Sequence, residues 1–328
     1  MIAQHLNKFR WMCLTIVFLT LLFIPFASIY QNYQAAHAYD LLSSNEKFLF
    51  DTMELLTDPF IDDAKELDFI KGSTWTANIA GWKISDPLAA LSQLAILHKL
   101  YLPFLITAAL PVLITLIFGR VFCGWLCPAT FLYELNTNFT LLLHKLGLPV
   151  AEWTLDRRIK YYVLLLGLIV TAIFGLNLLA ATYPPAILGK EIYYAIALDG
   201  FSTSAIFFLA TLMLDIGVSR RAFCRYLCPG GALYSLLGRY RVVRIQRDAT
   251  ACNDCYRCNG ICEFGLQPMQ DSFGMECNNC TACVAICPSK ALKLTLNIQD
   301  RPYQGPGHLG KNYQKSEQII VTDVNHVK

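Results

Sequence analysis

The run Cys252-Asn-Asp-Cys255-Tyr-Arg-Cys258-Asn-Gly-Ile-Cys262 is followed, 25 residues on, by Cys277-Asn-Asn-Cys280-Thr-Ala-Cys283-Val-Ala-Ile-Cys287-Pro288. Each has the form Cys-x2-Cys-x2-Cys-x3-Cys. The two-residue spacers wrap three thiolates around one [4Fe–4S] cube, and in two-cluster ferredoxins the fourth cysteine of each run ligates the other cube. That crossing assigns Cys252, Cys255, Cys258 and Cys287 to one cluster, and Cys277, Cys280, Cys283 and Cys262 to a second. Zinc is a poorer fit, because its sites take ligands in pairs rather than in two runs of four. Glu263 stands where a proline often follows the fourth cysteine, and it bears on local polarity or potential. Two cubes side by side suit the relay of single electrons.

Upstream lies a second duplication. Residues 120–135, RVFCGWLCPATFLYEL, match residues 221–236, RAFCRYLCPGGALYSL, at nine of sixteen positions and a constant offset of 101. Each copy carries Cys-x3-Cys-Pro: Cys123, Cys127 and Pro128, then Cys224, Cys228 and Pro229. The four-residue spacing puts both thiols of a pair on one helix face. The following proline suits the first position of a new helix, which sets Cys127 and Cys228 at positive helix N-termini where thiolates are favoured. Arg120, Arg221 and Arg225 add positive charge. Two parallel copies imply a pseudo-twofold axis along a membrane normal, under which all four sulfurs converge. Three readings stay open for them: a third metal site, a set of redox thiols, or buried structural cysteines. Cys13, alone in an apolar run, reads as packing.

The membrane itself is read from composition. Residues AVILMFWYC make up 55% of 328 residues against 16% charged, with mean hydropathy +0.41, more apolar content than a soluble domain of this size needs. Four apolar runs, Trp11–Ile29, Tyr101–Phe118, Tyr161–Ala181 and Phe201–Ile216, are expected to span, with Leu88–Leu97 and Ala195–Leu198 extending the second and fourth. The first run lacks a small-residue cleavage site and reads as a retained helix. Basic residues fix the orientation. Lys8 and Arg10 precede the first run, Arg120, Lys145, Arg157, Arg158 and Lys160 lie between the second and third, and seven arginines from Arg220 to Arg247 follow the fourth. Residues 31–98 instead carry ten acidic residues against four lysines. Both termini and the clusters are therefore placed on the cytoplasmic side, where thiolates stay reduced.

The expected architecture is an α-helical integral membrane protein: four transmembrane helices as a duplicated two-helix unit, plus a C-terminal α+β ferredoxin domain with two [4Fe–4S] clusters. Its parts are a transmembrane domain over 1–240 with an outer loop at 31–98, the ferredoxin domain at 241–298, and a polar tail at 299–328. Trp75 and Trp82 in the outer loop suit a membrane interface; that loop reads as a folded cap or a docking face. No histidine pair can clamp a haem, and a net charge of +3 gives no reason to expect nucleic acid. A quinone site is expected near the outer helix ends, with His98 and Tyr101 as its nominated residues, since quinol oxidation needs a proton acceptor beside an apolar slot.

With these residues in hand, the chain resembles the NapH-type quinol dehydrogenase membrane subunits, within a polyferredoxin group that includes NosR and CcoG. The resemblance rests on the paired Phe-Cys-x3-Cys-Pro motifs, Gly231-Ala-Leu-Tyr234, Ser85-Asp-Pro-Leu88 and both cluster motifs, and it covers nearly all of 8–295. It implies a bacterial inner-membrane electron-transfer subunit that passes electrons from quinol toward a periplasmic reductase in an anaerobic respiratory chain. The implied partner is a periplasmic or membrane-attached iron–sulfur subunit or a multihaem cytochrome. The CcoG side of the group implies an alternative, a thiol- or cluster-dependent copper reductase or assembly factor. The large outer flavin domain of NosR-like proteins has no room here.

Overall fold

A computed structural model describes residues 2–36, 47, 50–52, 54–55, 70–72, 76–79, 82–98, 102–147, 153–197, 200–298 and 305. Its elements run α1 (Ile2–Ala36), strands β1 (Ile70–Gly72), β2 (Thr76–Ile79) and β3 (Trp82–Ser85), α2 (Pro87–Leu97), α3 (Leu102–Phe118), α4 (Pro128–Lys145) and α5 (Ile159–Phe174). There follow α6 (Leu178–Thr182), α7 (Pro184–Ala197), α8 (Thr203–Gly217), α9 (Ala222–Tyr226), α10 (Pro229–Leu237), β4 (Val243–Arg247), α11 (Arg257–Ile261), α12 (Ala282–Ile286) and β5 (Leu292–Leu296). Residues 1–14, 112–164 and 212–328 form one compact unit, and residues 15–111 and 165–211 form another. Each of α1, α3, α5 and α8 contributes residues to both.

The apolar runs are helices, though not with the expected ends. Leu88–Leu97 is a helix of its own rather than an extension of the second run. Asp86 caps it by accepting from the Leu88 N–H at 2.7 Å, Pro87 opens it, and His98 ends it in a left-handed conformation with φ 49°. The third run breaks at Gly175, whose φ of +65° stops α5, and Asn177 starts α6 by accepting from the Ala180 N–H. Among the described residues, His5–Ser28 alone is long and apolar enough to cross a membrane; α3, α5 and α8 have 17, 16 and 15 residues. All four helices nevertheless expose an apolar stripe at three- and four-residue steps. On α1 it is Phe9, Met12, Ile16, Leu19 and Phe23, and on α3 it is Leu102, Ile106, Leu110 and Leu113. On α5 it is Tyr162, Leu166, Ile169 and Ile173, and on α8 it is Ile206, Leu209 and Met213. Contiguous exposed apolar stripes of this kind mark membrane or protein contact surfaces.

In the unit holding residues 15–111 and 165–211, β1, β2 and β3 form an antiparallel meander that feeds α2. The Tyr183 hydroxyl donates to Asp86 Oδ2 at 2.9 Å, which ties α2 to the α6–α7 joint.

The other unit carries the cysteines. Its β4 and β5 pair antiparallel, Val243 opposite Leu296 and Arg247 opposite Leu292. The cysteine stretch between them closes over a core of Ile245, Phe264, Leu266, Met269, Phe273, Ala291 and Leu292. Backbone ties this small sheet to the end of α3, where the Val242 N–H donates to Ile117 O at 2.9 Å, and the Asn297 N–H extends the strand pairing by donating to Val242 O at 2.8 Å. The two repeats also meet directly, with Phe122 and Tyr234 stacked at 5.1 Å. Gly119 (φ +72°) and Gly238 let backbones approach here, since a Cβ on Gly238 would lie 2.8 Å from Gly119 Cα. Gly238→Ala is therefore expected to cost about 1–3 kcal/mol through overpacking. An unchanged melting midpoint of the purified chain would show that this contact yields freely.

Candidate functional site

Each ferredoxin motif wraps its cysteines on a loop that repeatedly enters the left-handed region. Asp254, Tyr256 and Gly265 have φ of 54°, 57° and 58°, and their mates 25 residues on, Asn279, Thr281 and Lys290, have 52°, 62° and 53°. Five of these six are not glycine, so the loops hold conformations that cost of order 1–3 kcal/mol each and persist only where the surroundings over-determine them. Tyr256 and Thr281 sit immediately before the short helices α11 and α12, which carry Cys258 and Cys283.

The thiols gather in fours. Cys258 lies within electrostatic reach of Cys255, Cys287 and Cys252, and Cys283 within reach of Cys280, Cys277, Cys262 and also Cys258. Burial first, and then neighbouring sulfur, pushes the Cys258 thiol up to about 12, and burial pushes Cys280 there too. Thiols this hard to ionise become ligands when a metal supplies the missing positive charge. A donor set of eight thiols in the centre of a small core fits iron–sulfur cubes. Among the described residues, no three His, Cys, Asp or Glu side chains are grouped to hold a single ion; the four thiolates of a cube each bind a different iron and stand further apart. Around the first four, Arg247 pairs with Asp271 at 2.9 and 3.2 Å and acts on Cys252, whose sulfur lies 3.6 Å from Met269 Sδ.

The duplicated motifs depart from the single-helix reading. Cys123 lies in a five-residue π-helical turn, Phe122–Leu126, while Cys127 is extended with φ −73° and ψ 115°. Cys224 lies in α9, and Cys228, with φ −63° and ψ 116°, is the N-cap of α10. The cause is the proline after each second cysteine, which drives the residue before it out of the helical region. Each pair thus straddles a joint between helices instead of lining one face. The expected helix start at the second cysteine is present: Cys228 Sγ accepts from the Gly231 N–H at 3.3 Å. The structure brings the four together. Cys127 feels Cys123 and Cys228, Cys228 feels Cys123, and Cys224 feels Cys228 and Cys127. Burial pushes Cys127 and Cys228 up to about 12.

Cations surround these sulfurs. Arg120, 1% exposed, acts on Cys123 and Cys228 and pairs with Glu276 at 2.6 Å. Its repeat mate Arg221, equally buried, acts on Cys224 and pairs with Glu263 at 2.8 Å and Glu134 at 2.9 Å. Arg120 Nε and Arg221 Nη1 are buried with no hydrogen-bond partner, and the two guanidinium groups act on three of the four sulfurs, those of Cys123, Cys228 and Cys224. That is the environment an anionic sulfur cluster requires. Burial alone would raise the Glu276 carboxyl, but Arg120 and Lys160 hold it below its ordinary value. Glu134, Glu276, Lys160 and Arg10 were not among the residues the motifs single out. One local signal marks Glu134: it is a carboxylate in the otherwise uncharged interior of α4.

Of the residues nominated for a quinone site, His98 is exposed at the end of α2 and Tyr101 lies outside the described residues, as does Trp75 of the outer loop.

Known proteins give the class. A family described as "4Fe-4S binding domain" matches residues 101–149 and 201–247. Both segments hold a Cys-x3-Cys-Pro pair, and both end before Cys252. A ferredoxin-type protein NapH of Haemophilus influenzae is 29% identical over 224 residues, 65% of this chain and 75% of that one. A protein of Methanocaldococcus jannaschii is 32% identical over 199 residues, 58% of this chain and 78% of its own. The methylamine utilization ferredoxin-type protein MauN of Paracoccus denitrificans is 32% identical over 184 residues, 56% of each chain. No solved structure matches. The cysteines and these relatives mark a ferredoxin-type, iron–sulfur electron-transfer protein. Within that class, the chain belongs to the NapH-type polyferredoxin family.

Proposed function

We propose that this chain is a membrane-embedded electron-transfer subunit that accepts electrons from quinol and passes them toward a periplasmic reductase. The observation that carries the reading is the gathering of the ferredoxin cysteines into two interleaved fours. In it, Cys252, Cys255, Cys258 and Cys287 hold one [4Fe–4S] cluster, and Cys277, Cys280, Cys283 and Cys262 hold the second, within a ferredoxin domain of 241–298. Bound clusters supply one-electron carriage. Cys123, Cys127, Cys224 and Cys228 form a third iron–sulfur site, supported by their convergence, by the unpaired guanidinium N–H groups of Arg120 and Arg221, and by the family match over those segments. The apolar stripes on α1, α3, α5 and α8 support four spans, and the basic segments support a cytoplasmic position for all three sites. The resemblance supports quinol as donor and an iron–sulfur subunit or multihaem cytochrome as partner.

The test is anaerobic titration of the oxidised, purified full chain with menaquinol and ubiquinol analogues, followed by the visible absorbance of the clusters. Bleaching by quinol is expected. Indifference to both quinols, together with reoxidation of the dithionite-reduced chain by copper(II), would replace this reading by the metal-reductase alternative.

A further inference from the structure

The two Cys-x3-Cys turns do not rest on the ferredoxin domain at random. Gly124, between Cys123 and Cys127, is so close to Asn278 that a Cβ on it would lie 3.0 Å from the Asn278 side chain and from its carbonyl oxygen. The next residue, Trp125, donates its indole N–H to Asn279 O at 3.1 Å. Asn278 and Asn279 are the two spacer residues between Cys277 and Cys280. In the second copy, Arg225, between Cys224 and Cys228, donates to Glu263 O at 2.7 Å, and its guanidinium lies 2.9 Å from where a Cβ on Gly265 would be. Glu263 directly follows Cys262. Arg120 adds a contact to Glu276, the residue before Cys277. Asn278, Asn279, Glu263 and Glu276 each adjoin a cysteine of the second four, and Gly265 lies three residues past Cys262.

The ferredoxin repeat offers an internal control. Asn253 and Asp254 occupy, 25 residues earlier, the positions of Asn278 and Asn279. Asn278 and Asn279 are each 5% exposed, whereas Asn253 and Asp254 are only partly buried. The two motifs have the same loop geometry and different surroundings: Asn278 and Asn279 meet the Gly124–Trp125 turn, and the Asn279 amide also donates to Phe118 O and Val243 O at 2.9 Å each.

From this asymmetry we propose that the three sulfur sites form an ordered relay: the repeat cysteines exchange electrons with the second four, and the second four with the first. The junction of Gly124 and Trp125 with Asn278 and Asn279 is the contact across which the first exchange occurs. In that step the site at one side loses one electron and the site at the other gains it; no bond breaks and no proton moves. Gly124 acts by its lack of a side chain, which lets the two turns touch, and Trp125 is a positioning residue that fixes the Asn279 carbonyl. The inference rests on the reading of Cys123, Cys127, Cys224 and Cys228 as an iron–sulfur site.

The full chain in lipid nanodiscs would be analysed for iron and reduced stepwise under electron paramagnetic resonance, as wild type, Cys127→Ser, Gly124→Ala and Cys280→Ser. The signal lost in Cys280→Ser marks the second four. The wild type is expected to carry about twelve irons per chain and Cys127→Ser about eight. Magnetic broadening that Cys127→Ser removes should belong to the second four's signal. Gly124→Ala, which keeps every ligand, should alter that same line shape and leave the first four's unchanged. About twelve irons with the removable broadening on the first four would overturn the relay order and leave the third site standing. About eight irons in the wild type would remove the third site, and the relay with it.

Discussion

Replacing Cys287 by serine in the full chain is expected to abolish the signal of the four that contains Cys252, Cys255 and Cys258, and to remove about four irons per chain. The signal carried by Cys277, Cys280 and Cys283 should survive, although those residues are the nearest in sequence. The expectation follows from the crossing. Cys287 acts electrostatically on Cys258, and Cys262 lies in reach of Cys283 together with Cys280 and Cys277. Cys262→Ser should accordingly damage the second four and spare the first. The paired variants keep the experiment informative where one of them folds poorly. Each exchange keeps side-chain size nearly constant, and serine is a poor ligand for a cube built on thiolates. Loss of the Cys277 signal in Cys287→Ser would mean that each run serves its own cluster and that the crossing is wrong.

What could be read from the chain depended on how far apart the interacting residues lie in sequence. The offsets of 25 and 101 are properties of the sequence, so both duplications, and the crossed grouping expected of the ferredoxin cysteines, are legible in the chain itself. The apolar runs located α1, α3, α5 and α8, but not their ends, which are set by Gly175, Asn177, Asp86 and His98 acting one residue at a time. The one-face reading of Cys-x3-Cys failed because helical spacing was given more weight than the proline that follows. Pro128 and Pro229 fix the extended conformation of Cys127 and Cys228, and this could have been read from sequence. The charge network could not. Glu134 meets Arg10 across 124 residues and Lys160 meets Glu276 across 116, and nothing local in the chain specifies such partners. The left-handed spacer residues escaped notice for a related reason. Asp254 and Asn279 are types that tolerate that region, but Thr281 is β-branched and would be read as extended.

Glu134→Gln is expected to destabilise the chain by about 3–5 kcal/mol, the usual cost of removing one partner from a buried ion pair. Glu134 is 2% exposed, between Arg10 at 5% and Arg221 at 1%. Its Oε2 accepts from Arg10 Nη2 at 3.1 Å and its Oε1 from Arg221 Nη2 at 2.9 Å, and Arg10 Nη1 also donates to it. Glutamine keeps one acceptor oxygen but turns an amide NH2 toward guanidinium donors, so one arginine is left facing hydrogens. Arg221 retains Glu263, and Arg10 retains the Gly124 carbonyl at 3.2 Å, so Arg10 loses the larger share of its compensation. Arg10→Met should therefore relieve part of the damage: the double variant is expected to lose less stability than the sum of the two single losses. Because Arg10 also holds the Gly124 carbonyl and lies within reach of Cys280, the single variant should also broaden the second four's resonance. Chemical unfolding of the cluster-loaded chain in nanodiscs, for the two single variants and the double, measures the coupling. Strictly additive losses would show that the carboxylate and the two guanidinium groups are not energetically linked, and that Arg10 is held by its surroundings alone.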